Sequence, residues 1–250
     1  MWAQANKISK VDFYPKQQRM KKSLTIIVLC FSLFFYSFVS SHVDHYKNLK
    51  YLEYELFLND ELIGSHIFNF SKKGDLLYVN TAGQFKVSKF GIDLMKYQTN
   101  TEEIYKNGQL LEFKSKTTQN DKKKYVNLKL DKSKNIFEVD GSSFKGKTDV
   151  SSIIGSWWNH EIIKKDKQIS AVSGRIIPQK VRFLGKKKIK LNNKEYNSLH
   201  LHFFSDDDKP MEKKKINLNV WYDSRTLIWL KMSYNKLGQW EYRLKQQAFY

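Results

Sequence analysis

The sequence predicts an all-β protein: an antiparallel curved sheet or half-open barrel, arranged as a meander, with one amphipathic helix packed on it. Apolar and polar residues alternate with a period of two along most of the chain after residue 50, which is typical of half-buried antiparallel strands. Turn signals such as Asn107-Gly108 separate the alternating segments, and Asn-Gly in such a place indicates a hairpin. Since no internal repeat and no proline-rich or glycine-rich linker interrupts the pattern, residues 42–250 are expected to form a single β-rich domain.

Twelve segments carry the strand pattern and are joined by short turns. In the first, Leu52, Tyr54 and Leu56 point to one face of the strand, while Glu53 and Glu55 point to the other. Many strands joined by short turns favour a meander of neighbouring hairpins. The predicted strands cover residues 52–58, 62–70, 76–87, 93–105, 110–118, 124–130, 135–139, 174–184, 195–204, 215–222, 227–234 and 239–245.

The segment between residues 149 and 165 departs from this alternation. Its apolar residues fall at positions 150, 153, 154, 157 and 158, which is the spacing of one helix face. Asp149 can cap the start of such a helix, and Lys164 and Lys165 suit its C-terminus. We expect an amphipathic helix that carries Trp157 and Trp158 and packs on the concave face of the sheet or closes one end.

An apolar run over residues 24–39 predicts export from the cytoplasm. It follows Lys21 and Lys22 and ends in small residues, so residues 20–41 are interpreted as a signal peptide, with the mature protein in the periplasm or otherwise exported. The alternative is an inner-membrane anchor formed by residues 24–39, although this run is shorter than the roughly 20 residues of a spanning helix. Residues 1–19 are then either a disordered extension or precede the true start of translation, at Met20 and not Met1.

The chain is strongly basic, with 44 Lys plus Arg against 25 Asp plus Glu and a formal charge of +19. Nucleic acid is excluded as a partner because nearly all of this excess is Lys, whereas Arg makes the bidentate phosphate and guanine contacts. The lysine runs at residues 122–124, 186–188 and 213–215 are expected at turns or strand ends. Association with anionic membrane surfaces remains an expectation. The single cysteine, Cys30, lies in the export segment, so a disulfide scaffold is excluded.

The search for catalytic and metal-binding motifs gives little. The sequence has no P-loop, no dinucleotide fingerprint and no nucleophile elbow, so we expect neither enzymatic activity nor a cofactor. His200 and His202 are the strongest metal candidates, because residues two apart on a strand point to the same side. No third ligand follows at a suitable spacing. The favoured interpretation therefore leaves both rings towards solvent, with Leu201 on the buried face.

Five tryptophans are the candidate residues of a ligand groove. Trp221 faces away from Val220 and Tyr222 on its own strand, so both faces of this region carry large apolar groups. Such a strand suits a curved sheet that packs on one side and lines a groove on the other. The alternative is a thick core covered by the helix. The five groove candidates are Trp157, Trp158, Trp221, Trp229 and Trp240.

Several motifs follow one another in a specific order and spacing. They are YELFLNDELIGSHIF at residues 54–68, YKNGQLLEFKSKT at 105–117, SWWN at 156–159, WYD at 221–223 and GQWEYRL at 238–244. In this order the chain resembles, over nearly all of residues 50–246, a family of exported bacterial β-rich proteins classed as a domain of unknown function. The resemblance implies an architecture similar to lipoprotein-carrier-like half-open barrels and a hydrophobic concavity, and it supplies no catalytic residues.

The sequence supports three hypotheses of function. The first is an exported, non-enzymatic protein that binds a lipid or other hydrophobic small molecule in its concave face. The second is a structural or protein-interaction domain of the cell envelope with a filled core. The third is a metal-dependent hydrolase that uses His200 and His202. The ligand, the oligomeric state and the pathway are left open.

Overall fold

The computed structural model of the protein describes Tyr46 and residues 48–250. These residues form a sheet of fifteen strands. The strands are β1 (Leu49–Leu58), β2 (Glu61–Lys73), β3 (Leu76–Lys89), β4 (Ile92–Lys106), β5 (Gln109–Gln119), β6 (Lys122–Asp131), β7 (Ile136–Gly141), β8 (Phe144–Asp149), β9 (Ile153–Ile154), β10 (Lys167–Ile169), β11 (Ile176–Leu191), β12 (Lys194–Ser205), β13 (Asn217–Asp223), β14 (Trp229–Asn235) and β15 (Gln239–Phe249).

The prediction of an all-β antiparallel meander is confirmed. Each strand from β1 to β8, and each from β10 to β15, pairs with its neighbours in the chain as an antiparallel hairpin. The first strand, β1, also pairs with the last, β15, and this pairing joins the two halves of the sheet. The exception to the antiparallel arrangement is β9, which pairs in parallel with β10.

The two edge strands of the sheet, β8 and β9, are neighbours in sequence. Only residues 150–152 connect them, and so few residues span little more than about 10 Å, so the sheet must curl until its edges meet. A loop at residues 170–175 lies across the gap. The Ser143 N–H donates to the Ser173 carbonyl at 2.9 Å, and the Ser115 hydroxyl donates to the Ala171 carbonyl at 2.6 Å. The sheet is thus a half-open barrel that a loop closes, without a ladder between β8 and β9.

The expected helix over residues 149–165 is wrong. Ile153 and Ile154 form β9, and Trp157 has a φ of 63°, which a right-handed helix excludes. The backbone groups bond elsewhere: the Gly155 N–H donates to the Ile169 carbonyl at 3.0 Å. A single 3₁₀ helix, His160–Lys164, follows, and its cap residue Asn159 accepts from the Glu161 N–H at 3.1 Å.

Other differences concern strand number and length. Strands β8, β9 and β10 were not expected, and the lysine run 186–188 lies inside β11 instead of at a turn. A second 3₁₀ helix, Met211–Lys213, precedes β13. The division into residues 1–19, 20–41 and 42–250 stays a prediction, because the first two segments and the candidate anchor 24–39 lie outside the described residues. Within the described part of the chain, no helix has the length and apolar character needed to span a membrane.

The two ends of the barrel differ in what fills them. One end, here called the rim end, carries the turns at residues 59–60, 90–91, 120–121 and 236–238, and the other carries the turns at 74–75, 107–108 and 132–135. The inward side chains nearer the second end form a packed aromatic and aliphatic core, because alternate residues of each strand point inwards. This core includes Leu52, Phe70, Val79, Tyr105, Phe113, Leu128 and Trp158.

Candidate functional site

A cavity of about 170 Å³ lies inside the barrel, between the core and the rim end. Its wall is formed by inward residues of β2, β3, β4, β5, β14 and β15, and by the loops at residues 155–157 and 171–172. The lining residues are His66, Phe68, Thr81, Tyr97, Thr99, Thr101, Phe113, Gly155, Ser156, Trp157, Ala171, Val172, Trp229, Met232 and Tyr242.

Polar groups interrupt this largely apolar wall. Thr99 and Thr117 share a hydrogen bond of 2.8 Å, whereas Thr81 Oγ1, Ser156 Oγ and Trp229 Nε1 are buried with no hydrogen-bond partner among the described residues. A buried donor or acceptor without a partner costs free energy, and such groups call for an explanation. All three belong to residues that line the cavity, so a molecule bound there lies close to them.

His66 is a further polar residue of the wall. Its side chain points to the same side of β2 as that of Phe68, and the centroids of the two rings are 4.6 Å apart. Burial lowers the pKa of His66 to about 4, so its imidazole is neutral at pH 7. The cavity therefore presents hydrogen-bonding groups without a formal charge.

Trp157 reaches the cavity through an unusual turn. The Trp158 N–H donates to the Ser156 carbonyl at 2.8 Å, which forms a γ-turn centred on Trp157. Trp157 has a φ of 63°, and a γ-turn with a positive φ at its central residue is rare and strained. The Trp157 carbonyl accepts from the Tyr222 hydroxyl at 2.9 Å, and its ring meets the ring of Phe203 edge-on at 5.2 Å. The surrounding contacts thus hold the Trp157 ring at the cavity wall in spite of the backbone strain.

Trp229 and Trp158 are both fully buried but occupy different places. Trp229 lines the cavity and stacks on Tyr54, with ring centroids 4.1 Å apart. Trp158 packs in the core, outside the cavity wall, and its Nε1 donates to Glu103 Oε1 at 3.0 Å. Of the five predicted groove residues, the structure brings Trp157 and Trp229 together at the cavity.

Trp240 belongs to an aromatic layer between the cavity and the rim end, formed by Phe85, Tyr97, Tyr234 and Trp240. Phe85 stacks on Tyr97 at 4.9 Å, and Trp240 stacks on Tyr234 at 5.7 Å. Phe85 and Trp240 join the two pairs edge-on at 5.3 Å. Each member lies two residues along its strand from an inward residue beside the cavity, so the layer covers the cavity on its rim side.

The expectation that Trp221 lines a groove requires correction. Its ring lies on the outer face of the sheet and stacks on His200, with centroids 4.3 Å apart. The alternation that buries Val220 and Tyr222 directs Trp221 away from the interior. Lys231 Nζ lies over the Trp221 ring, 5.5 Å from its centroid.

The two histidines of the metal hypothesis share that outer face. His200 Nε2 bonds with Asn219 Oδ1 at 3.0 Å, and His202 Nε2 bonds with Asn217 Oδ1 at 2.9 Å. His202 is partly exposed as expected, but His200 is buried beside Trp221. Among the residues that the structure describes, no group of three or more His, Cys, Asp or Glu side chains is placed to hold a metal ion.

Glu103 is a buried carboxyl that the sequence interpretation missed. It is fully buried and accepts from the Tyr105 hydroxyl at 2.5 Å and from Trp158 Nε1 at 3.0 Å. Burial raises the pKa of Glu103 to about 7, and these hydrogen bonds offset only part of that effect. The sequence contained a signal for both residues, because alternate residues of a strand point to the same side. Glu103 lies an even number of positions from Thr99 and Tyr105, and His66 lies two positions from Phe68, so both side chains point inwards.

The groups of the cavity wall suit an uncharged molecule. The wall combines aromatic rings with a few hydrogen-bonding groups, which is the usual composition of small-molecule sites. Its volume is close to that of an apolar cavity of roughly 150 Å³ known to admit benzene. It therefore fits a ring-sized group or a short apolar segment.

Residues 54–245, about three quarters of the chain, match a protein family described as a Domain of unknown function, DUF6134. This match confirms the predicted resemblance to a β-rich family of that kind. No curated protein matches the chain.

A similar solved structure is the beta-barrel-like protein of the domain of unknown function DUF1849 from Brucella abortus. The two chains superpose with a TM-score of 0.58 and share 13% sequence identity, over 81% of this chain and 98% of that chain. At this identity the similarity concerns the fold alone. It agrees with the curled antiparallel sheet described above.

Proposed function

The chain belongs to the DUF6134 family, and we propose that it is an exported protein that holds a small hydrophobic molecule, or the apolar end of a lipid, in the cavity of its half-open barrel. The observation that carries the proposal is the set of buried polar atoms without a hydrogen-bond partner, which includes Thr81 Oγ1 and Trp229 Nε1, on residues of a largely apolar cavity wall.

These two atoms define what the ligand offers in return. The indole N–H of Trp229 only donates, so it calls for an acceptor, whereas the Thr81 hydroxyl both donates and accepts. A molecule with an apolar body and one uncharged oxygen, such as an alcohol, satisfies both requirements. A charged group is disfavoured, because no described residue of the wall carries an opposite charge.

Cavity volume limits the size of the ligand. At about 170 Å³ it is smaller than the roughly 300–1,000 Å³ of drug-sized ligand pockets. A lipid can therefore insert only part of an acyl chain unless the aromatic layer of Phe85, Tyr97, Tyr234 and Trp240 moves. The proposed ligand is small or only partly enclosed.

A second candidate function is a structural or interaction domain of the cell envelope with a filled core. The small cavity and the complete burial of Trp158 and Trp229 favour this candidate. Its location, like that of the ligand-binding function, rests on the signal peptide interpreted at residues 20–41. Both candidates are non-enzymatic, in keeping with the sequence, which lacks the familiar catalytic motifs.

Binding of n-hexanol by the purified chain distinguishes the two candidates. We expect saturable changes in tryptophan fluorescence, because Trp157 and Trp229 line the cavity, together with a rise in Tm. Ala171 lines the cavity, so Ala171→Leu fills it and is expected to weaken binding at least about tenfold. Ala82→Leu is the matched control, because Ala82 is exposed on β3 beside Thr81.

The same titration can contradict the proposal. Ligand binding is rejected if hexanol produces no saturable change in the wild-type chain, or if Ala171→Leu binds as well as Ala82→Leu. Either result favours the filled-core interaction domain. Mass spectrometry of molecules released from the protein as purified then identifies the natural ligand where binding is observed.

A further inference from the structure

The rim end carries a cluster of exposed apolar side chains, here called the apolar rim. Among the described residues, ten large hydrophobic side chains are exposed, and five of them lie together on three neighbouring hairpins at this end of the barrel. Phe90 is 92% exposed and Leu237 is 100% exposed. Such concentration at one place is typical of an interaction surface. The apolar rim consists of Leu62, Phe90, Ile92, Leu94 and Leu237.

The two most exposed members occupy hairpin positions that disfavour them. Phe90 has a φ of 52° and Leu237 a φ of 54°, and bulky residues rarely adopt this left-handed conformation. Other hairpins of the same sheet place Asn there, as at Asn107 and Asn192, which is the common choice. Neither folding nor solubility gains from Phe90 or Leu237 at these tips, so a contact made by the tips themselves explains them best.

The apolar rim is continuous and not a set of isolated side chains. Leu62, Leu94 and Leu237 line one open groove between the β1–β2, β3–β4 and β14–β15 hairpins. Phe90 and Ile92 extend it at the tip of the β3–β4 hairpin. Hairpin tips of this kind project from the barrel, and they suit insertion into a soft layer more than flat contact with a protein surface.

Lysines surround these apolar groups. Lys89 lies over the Phe90 ring, 5.4 Å from its centroid, and Lys86, Lys96 and Lys236 are exposed nearby. Lys86 and Lys96 hold the carboxylate of Asp93 at 2.9 and 2.8 Å. The acid closest to Phe90 in the hairpin is therefore neutralised. Lys89 and Lys236 remain to meet negative charge, and the acid that lines the groove is Glu61, beside Leu62.

We propose that the apolar rim docks the protein on a lipid bilayer that carries anionic headgroups, with Phe90 and Leu237 inserted at the acyl boundary. Apolar side chains flanked by lysines are the combination that places a protein segment in the membrane interface. Lys side chains can keep their ammonium groups at the headgroups while their stems lie along the apolar layer. The docking is independent of ligand binding in the cavity.

Labels placed at single cysteines test this proposal in the full chain. Cys30 is the only cysteine, so a Cys30→Ser background allows an environment-sensitive nitrobenzoxadiazole label at Leu237→Cys or Phe90→Cys. Asn107→Cys is the matched control, because Asn107 has a similar φ of 48° at a hairpin of the opposite end. With vesicles of phosphatidylcholine and phosphatidylglycerol, we expect a severalfold rise and a blue shift of emission at both rim positions and not at position 107.

A second variant separates insertion from general adsorption. Phe90→Ser in the Leu237→Cys chain is expected to lower the vesicle affinity reported by the label about tenfold, since burial of one large apolar side chain contributes that much. Equal responses at positions 107 and 237, or no response at either rim position, overturn the proposal. If the emission of a label at either rim position instead rises with protein concentration in the absence of vesicles, the apolar rim is assigned to contact with a second copy of the chain. Equal responses with phosphatidylcholine alone overturn the requirement for anionic lipid.

Discussion

At the scale of single residues, Glu103 and His66 make the free energy of unfolding change with pH in opposite directions. The ordinary pKa of a Glu in this context is 4.5, and burial raises the pKa of Glu103 to about 7. Between these values the unfolded chain loses the proton and the folded chain keeps it, so the free energy of unfolding falls as pH rises. No charged group contributes to the shift, which makes Glu103 a simple case of desolvation.

His66 acts in the opposite sense. Burial lowers its pKa from 6.5 to about 4, so between these values the unfolded chain takes up a proton that the folded chain does not. The free energy of unfolding therefore rises with pH in that range. Because the two effects offset each other between about pH 4.5 and 6.5, a comparison of variant with wild type is more informative than the wild-type profile alone.

Glu103→Gln is expected to remove the pH dependence that Glu103 contributes. The amide cannot ionise, and its carbonyl can still accept from Trp158 Nε1. Relative to wild type, the variant should gain up to about 3 kcal/mol in the free energy of unfolding as pH rises from about 4.5 to 8, since one pKa unit corresponds to about 1.4 kcal/mol. Urea unfolding at several pH values measures this difference.

The matched control for this measurement is Glu102→Gln. Glu102 is exposed on the outer face of β4, so its change should leave the difference from wild type almost independent of pH. A constant difference between Glu103→Gln and wild type across the range would show that Glu103 ionises normally in the folded protein.

At the scale of elements, the period of two predicted twelve strands. The helical spacing at residues 149–165 predicted a helix that the protein does not form. Residues 153, 154, 157 and 158 are all buried or half-buried, but their partners are β10, the core and the cavity. Tertiary pairing overrode a local pattern that suits a helix equally well. Strands β8 and β10 were missed because they are short, and β8 lacks an apolar alternation.

The cavity was only partly predictable from sequence, for a physical reason. The alternation of side chains along a strand shows which residues point inwards, and this alternation alone places His66, Thr81 and Glu103 in the interior. Whether inward residues of different strands fill the space between them depends on how the sheet curls. The cavity also needs Trp157, whose position follows from a γ-turn that periodicity does not signal.

Gly141 allows the loop at residues 170–175 to approach the sheet closely where it closes the barrel. A Cβ on Gly141 would lie 2.6 Å from the Ser173 carbonyl oxygen and 2.9 Å from Gly174 Cα. Both are backbone atoms, so they cannot move without displacing the loop. We expect Gly141→Ala to lower the free energy of unfolding by about 1–3 kcal/mol, as overpacking does elsewhere, in urea unfolding.

Gly146→Ala provides the comparison for that variant. Gly146 lies on the adjacent strand β8, and the closest atom to its Cβ would be the edge of the Phe144 ring at 3.0 Å, which can move aside. We expect a smaller change than for Gly141→Ala. If both variants lowered the free energy of unfolding by a similar amount, the effect would come from replacing a strand glycine by alanine and not from the contact with the closing loop.

At the scale of the whole molecule, the pairing of β1 with β15 connects residues that are far apart in sequence, from Leu58 with Trp240 to Leu49 with Phe249, which are 200 positions apart. Without it the sheet would separate into β1–β8 and β9–β15, each with a long unpaired edge. Contacts of such sequence separation make folding slow, because the loop entropy is lost before the contacts form. They also make the two halves depend on each other, since the interior is lined by both.

Deletion of residues 239–250 tests this dependence. It removes β15 and with it the buried Trp240 and Leu244, and it exposes the edges of β1 and β14. We expect the truncated chain to lose the cooperative unfolding transition in urea and the near-ultraviolet circular dichroism of packed aromatic residues. Deletion of Tyr250 alone, which is 70% exposed, should preserve both. If the longer deletion instead left a sharp transition, the strands β1–β8 would have to be an independently folding unit, and closure by β15 would serve the cavity and the rim without holding the fold together.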